Sequence, residues 1–173
     1  HVNKLGYACE QGSENNVLDR YWNAAKFFGA DIIVRATGDN PFVSYEIADF
    51  LINNHISNNS DFTGIEKDKI PRGIATEIIS YKSIEFLLDH DMNFDYSEYM
   101  TFYFTNNPGF FSINILPAPP NYHSDPPQAR LTIDYPDDLE LSKEIVKIIN
   151  PIMEPISLES ILKLLKEQPG LIH

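Results

Sequence analysis

Apolar positions along this chain alternate between two rhythms, one of helical period and one of short continuous runs. In "SENNVLDRYWNAAKFFG", Val17, Leu18, Tyr21, Trp22, Ala25 and Phe28 form one stripe behind Ser13 as a candidate cap, and Gly29 ends it. An amphipathic helix is predicted there. The next run, "ADIIVRAT", is of strand length and rich in β-branched residues, as in a strand buried on both faces. "SYEIADFLINNHI" repeats the helical rhythm with Ser44 as cap and Ile47, Phe50, Leu51 and Asn54 inward, and "DFTGI" follows as a short strand. Beyond a polar, turn-rich stretch at 66–73, "IATEIIS" is predicted as a strand and Ser80 as the cap of a helix reaching about His90. "YSEYMTFYFTNN" satisfies either period and is assigned to helix, and "FFSINILPA" to strand. The Pro-rich loop at 117–128 is predicted as a stiff surface excursion or a dimer arm. "ARLTID" is a further strand, and two helices close the chain, one opening at Pro136 with acidic residues in its first turn and one at Ser157. Recurring strand and helix give an α/β fold with a mostly parallel central sheet.

Two of these strands run into an aspartate. "IIVRATGD" ends at Asp39 and "ARLTID" at Asp134. In the turn "GDNP", Asp39 is well suited to plain turn punctuation, and Asp134 to capping the next helix. Ligands of open α/β sheets, however, bind outside the carboxyl ends of the strands, where two such carboxylates can meet. A pair of this kind is enough to hold a water-rich Mg²⁺ against phosphate oxygens. Arg72 in "PRG" suits a bidentate anion contact or a solvated loop, and Glu77 could face the same crevice or the solvent.

Charge narrows the partners. The chain of 173 residues has 13 Lys plus Arg against 25 Asp plus Glu, a formal charge of −12, so duplex nucleic acid is excluded as a general partner. A small anion accompanied by a metal ion remains. No apolar run approaches the roughly 20 residues that span a bilayer, so no membrane insertion is expected. The one cysteine, Cys9, cannot form an internal disulfide, and a reducing, cytoplasmic setting is expected. The five histidines show no metal spacing.

Four stretches in order, "GSENNVLDRYWNAAKFFGADIIVRATGDNPFV", "PRGIATEIIS", "SEYMT" and "LTIDYPDDLEL", resemble the cytidylyltransferases that include SpsF-type spore-coat polysaccharide proteins and the CMP-Kdo and CMP-sialic acid synthetases. The resemblance covers nearly the whole chain. It implies a Rossmann-like nucleotide-diphospho-sugar transferase fold and transfer of CMP from CTP to an acidic or unusual sugar, with pyrophosphate release. It also implies Mg²⁺ held by Asp39 and Asp134 as the catalytic carboxylates, and a homodimer. Gly12, Ser13, Asp19 and Arg20 match positions near the nucleotide, and Arg72, Glu77 and Glu98 match the sugar side.

Three departures accompany it. Nothing here resembles the family's first strand and its R-x-x-S-x-R-L-P-G-K loop, so residues 1–173 read as one domain lacking an N-terminal nucleotide-binding segment of roughly 70 residues. Tyr99 stands where the family tends to have histidine, and Tyr135 stands where it has a capping threonine. A GT-A glycosyltransferase and a non-catalytic subunit of glycan assembly remain as alternatives.

Overall fold

The computed structural model describes residues 2–90, 99–124, 129–149 and 155–171. Helix α1 spans Val17–Phe28, and strand β1, Ile32–Arg35, follows after the turn at Gly29. Gly29 takes φ +64°, and its N–H closes the helix on the Ala25 and Lys26 carbonyls, the left-handed termination that glycine tolerates best. The N-cap is Asn16, whose side chain accepts from Asp19 N; Ser13, expected as the cap, sits three residues earlier, its hydroxyl accepting from Asn16 N at 3.0 Å. Leu18 and Ala25 are buried, whereas Phe28, placed on the inner stripe by its period, is 49% exposed.

Helix α2, Tyr45–Asn58, is capped by Ser44 as predicted and leads to β2, Phe62–Ile65. Strand β3, Glu77–Ser80, and helix α3, Tyr81–Asp89, come next, then α4, Met100–Thr105, in the stretch with ambiguous period. Ser80 is the N-cap residue of α3 as predicted, but its hydroxyl bonds the Ser83 and Asp61 side chains and makes no capping bond to the helix backbone. Strand β4 is Ile113–Leu116, helices α5, Pro136–Ile149, and α6, Leu158–Glu167, follow, and a short 3₁₀ turn, Pro169–Leu171, comes after α6.

The strands lie in the order β1-β3-β2-β4. β2 pairs β4 in parallel, and β3 pairs antiparallel with both β1 and β2. Three strands thus share a direction, the mostly parallel sense predicted, and β3 alone is reversed between them. This order corrects one expectation. The strands buried on both faces are the central β2 and β3, while β1 lies at an edge of the described sheet with Val34 42% exposed.

Period-two alternation splits the core between two helical layers. Ile78 packs with α2, α5 and α6 through Ile47, Leu51, Ile145 and Ile161 on one face. Its neighbour Ile79 packs with Leu18 of α1, Ile84 and Leu87 of α3, and Phe104 of α4 on the other. The Pro-rich loop, predicted as a stiff surface excursion or a dimer arm, lies against the body as far as Ser124, and 125–128 lie outside the described residues. Ser124 N donates to Lys69 O at 3.0 Å, Ala118 is buried, and Tyr122 packs on the first core layer.

A buried histidine gives this core a pH dependence. His55 of α2 is 3% exposed, with its Nδ1 at 2.9 Å from the Thr63 hydroxyl of β2. Burial lowers its pKa below the ordinary 6.5, Asp61 pulling weakly the other way and Lys82 adding to the depression. The folded state therefore takes up this proton less readily than the unfolded chain does. Stability from this group is complete above the unfolded pKa and is lost as pH falls below it towards the folded pKa. Urea titrations should show the advantage of the wild type over His55→Gln shrinking between about pH 7.5 and pH 5. A difference that is flat with pH would contradict it.

Candidate functional site

Chain direction brings the two aspartates together. β1 ends at Arg35 and enters a turn in which Asn40 N donates to Thr37 O at 3.1 Å and the Asn40 amide to the Thr37 hydroxyl at 2.6 Å. Asp39 sits inside that turn, exposed, with its carboxylate free to face a cleft. Gly38 is not in the left-handed region, and a Cβ added there would meet nothing within 4 Å. The turn does not demand a glycine at that point; Gly38 leaves space on the cleft wall.

The segment 129–134, predicted as a strand, makes one isolated bridge instead, Arg130 beside Arg72 in parallel. Its hydrogen bonds are divided between two partners. Leu131 N donates to Arg72 O and Ile133 N to Asp39 O, both at 2.8 Å. This division sets residue 133 against residue 39, one step before Asp134, and both aspartates line the same cleft. Thr132 touches Asp39 as well, hydroxyl to Oδ2 at 3.5 Å.

Gly73 makes the approach possible. Its φ is +96°, and a Cβ there would lie 2.9 Å from the Asn40 Oδ1, 2.9 Å from Thr132 N and 3.0 Å from the Leu131 carbonyl carbon. Gly73→Ala should cost roughly 2–4 kcal/mol from backbone strain and overpacking together. Chemical denaturation measures this, and a loss below about 0.5 kcal/mol would contradict it.

The cleft has two lobes sharing a waist of Arg35, Thr37, Asp39, Lys67, Glu77 and Asp134. One lobe, about 370 Å³, adds Arg72, Asn40 and Thr132. The other adds Arg20, Tyr21, Tyr99, Thr101 and Phe102. Glu77 settles the question left by its sequence: it faces the cleft, 7% exposed. Arg35 Nη1 reaches its Oε2 at 3.0 Å across the β1–β3 register pair, Lys67 lies at 3.7 Å, and the Thr101 hydroxyl makes a short bond to Oε1. Tyr21 bonds Arg35, yet its burial outweighs the nearby arginines and raises the phenol pKa, so it stays neutral at physiological pH.

Arg35, Lys67, Tyr21 and Thr101 were not among the candidates read from sequence. Arg35 left a trace, a cation inside an otherwise apolar strand. Arg72 is exposed, and its side chain has no ion pair among the described residues. Of the four nucleotide-side candidates only Arg20 lines the cleft. Its Nη1 donates to Ser13 O at 2.8 Å, and Gly12 packs closely on its stem, so a Cβ there would meet Arg20 Cγ at 2.9 Å. Asp19 opens α1 through its N–H. Glu98 lies outside the described residues.

Asp134 is held on both sides. Asp138, in the first turn of α5, accepts from the N–H groups of Asp134 and Tyr135 at 2.8 Å each. Those bonds hold the Asp138 pKa below its ordinary range, with Arg130 contributing further. The reach-back is half of a capping box, and it compensates for Tyr135 where a threonine would cap. Arg130 Nη2 bridges Asp134 at 2.5 Å and Asp138 at 3.2 Å, its guanidinium 5.1 Å from the Tyr135 ring.

Among the described residues no three His, Cys, Asp or Glu side chains form a metal cluster, and no helix is long and apolar enough to cross a membrane. Two exposed carboxylates on one cleft do fit a hexahydrated-type ion such as Mg²⁺, which takes one or two protein ligands and completes its shell with water and phosphate.

Residues 2–168 match the family model described as Cytidylyltransferase. The chain belongs to the cytidylyltransferase family. It is 35% identical over 146 residues to the spore coat polysaccharide biosynthesis protein SpsF of Bacillus subtilis (strain 168), covering 84% of this chain and 59% of that protein. An uncharacterised protein of Methanocaldococcus jannaschii is 36% identical over 145 residues, 84% of this chain and 58% of the relative. This cytidylyltransferase-family chain therefore spans less than two thirds of the length of these relatives. A solved cytidylyltransferase from Leptospira borgpetersenii superposes with a TM-score of 0.84 at 26% identity, covering 99% of this chain and 71% of that one.

Proposed function

We propose that the protein transfers CMP from CTP to an acidic or otherwise unusual sugar, with release of pyrophosphate, in the synthesis of a surface polysaccharide. The observation that supports this reading best is the convergence of Asp39 and Asp134 on one cation-lined cleft at the mouth of β1. Family membership and the likeness to SpsF point the same way.

In this reading Asp39 and Asp134 hold Mg²⁺, which when bound supplies neutralisation of the triphosphate and polarisation at phosphorus. The chain's own residues do the rest. Arg72, Lys67 and Arg20 supply positive charge around the reacting phosphates, and this offsets the −12 charge that repels an anion elsewhere. Tyr21, Tyr99 and Phe102 give one lobe apolar faces on which a ring can rest. The sugar hydroxyl oxygen bonds to the α-phosphorus, the bond from that phosphorus to the bridging oxygen breaks, pyrophosphate leaves in line, and the hydroxyl proton passes to water.

Pyrophosphate release by the product of the complete gene, with CTP, Mg²⁺ and a panel of acidic sugars, tests the reading. Release that requires both nucleotide and one of the sugars is expected. Transfer from a preformed nucleotide sugar to an acceptor, without pyrophosphate, would replace it with a glycosyltransferase.

A further inference from the structure

We infer that Arg130 is a built-in competitor for the cation at Asp134, and that Asp138 is the positioning residue that draws it aside. The inference rests on the reading of Asp39 and Asp134 as the carboxylates of a divalent-cation site. Its observations are separate from that reading. Arg130 Nη2 stands 2.5 Å from Asp134 Oδ2, where a divalent ion would otherwise find a carboxylate oxygen. The same nitrogen is 3.2 Å from Asp138 Oδ2, and Asp138 is the better buried of the two carboxylates, 14% exposed against 47%.

Asp138 has two functions in this arrangement. Its hydrogen bonds to Asp134 N and Tyr135 N, both 2.8 Å, fix the backbone that aims the Asp134 side chain. Its charge gives the guanidinium a second carboxylate to rest on when the first is claimed. Arg130 cannot travel far in any case. Its backbone is fixed by the bridge to Arg72, and its guanidinium lies near the Tyr135 ring. The cation site and the arginine therefore share Asp134 as an exchangeable ligand, with the arginine retained close by throughout.

The pairing predicts opposite signs for two neutralising changes. Arg130→Gln removes the competitor, so Mn²⁺ should bind tighter, on the order of three- to tenfold at low ionic strength, as expected for deleting a unit charge a few ångströms away. Asp138→Asn keeps an acceptor for a backbone N–H but removes the charge that draws Arg130 aside, so Mn²⁺ should bind more weakly, by about two- to fivefold. In the double variant the Asp138→Asn effect should shrink to the direct cost of losing one nearby negative charge, since the larger part of it acts through Arg130. A merely structural role for Asp138 would instead weaken binding equally with or without Arg130.

Mn²⁺ titration followed by water-proton relaxation gives these affinities without turnover, and circular dichroism confirms the fold of each variant. Asp39→Ala and Asp134→Ala serve as controls. If Mn²⁺ binding does not depend on these aspartates, the cation-site reading fails and this inference with it. If binding depends on them while Arg130→Gln leaves the affinity unchanged or weakens it, the inference alone is overturned. Tighter binding in Arg130→Gln, with the Asp138→Asn effect clearly reduced in the double variant, is the result expected.

Discussion

Asp39→Ala and Asp134→Ala should each lower pyrophosphate release by the complete gene product by about a thousandfold or more, while leaving its stability within roughly 0.5 kcal/mol of the wild type. The two halves of this expectation come from one fact. Both side chains are exposed on the cleft, so neither supports the core. Asp39 is held in place by backbone, through Asn40 N to Thr37 O and Ile133 N to Asp39 O, and alanine keeps both bonds. Asp134 differs in one respect. Its removal frees Arg130, which still has Asp138, so the fold is spared there too. Paired measurements of rate and urea stability check the expectation. A variant that loses activity only because it unfolds would contradict it, as would one that stays active.

Glu77→Ala should act in the opposite way, destabilising the fold by about 3–5 kcal/mol, because it leaves a largely buried guanidinium without its carboxylate. The side chains of Arg35 and Glu77 are 17% and 9% exposed, and Glu77 also takes the Thr101 hydroxyl. One carboxylate thus joins β1, β3 and α4 at the waist of the cleft. Replacing both members, Arg35→Met with Glu77→Leu, should recover most of the loss, since the penalty lies in the orphaned charge rather than in the missing attraction. Chemical denaturation of the two single variants and the double variant measures this coupling. A cost near zero for Glu77→Ala, or no recovery in the double variant, would show that the pair is effectively solvated.

Most helices were legible because they carry their own period, whereas α4 lies in a stretch that satisfies either period. Leu18 and Ala25 on one stripe, Gly29 as terminator, Ser44 as cap and Ser157 as the start of the last helix are local statements, and they survive in the structure. The reversal of β3 was not legible, since a four-residue strand looks alike in either direction and its orientation is fixed by pairing with β1 and β2. The "ARLTID" segment shows the same limit. Its composition is that of a strand, but its hydrogen bonds go first to Arg72 and then to Asp39, so no ladder forms.

In the candidate site, the strand-end rule found both aspartates because it concerns where chain ends fall rather than what surrounds them. It could not find Arg35 or Lys67, whose place in the cleft depends on the register that sets Arg35 opposite Glu77. Motif matching had the converse weakness. It marked Gly12, Ser13 and Asp19 together with Arg20, although here the first two hold the arginine in place and Asp19 lies at the start of α1. A residue that positions a contact stands in the same short stretch as the contact itself, and only coordinates separate the two.

Following the α-phosphorus of labelled CTP is the most direct test of the chemistry assigned to this cleft. Incubated with Mg²⁺, labelled CTP and a suitable sugar, the complete gene product should move the label into a CMP-sugar, with one pyrophosphate released for each label transferred. Asp39→Ala should do neither. Label that never reaches the sugar with any acidic sugar offered, or transfer that persists undiminished in Asp39→Ala, would contradict the assignment of this cleft to CMP transfer.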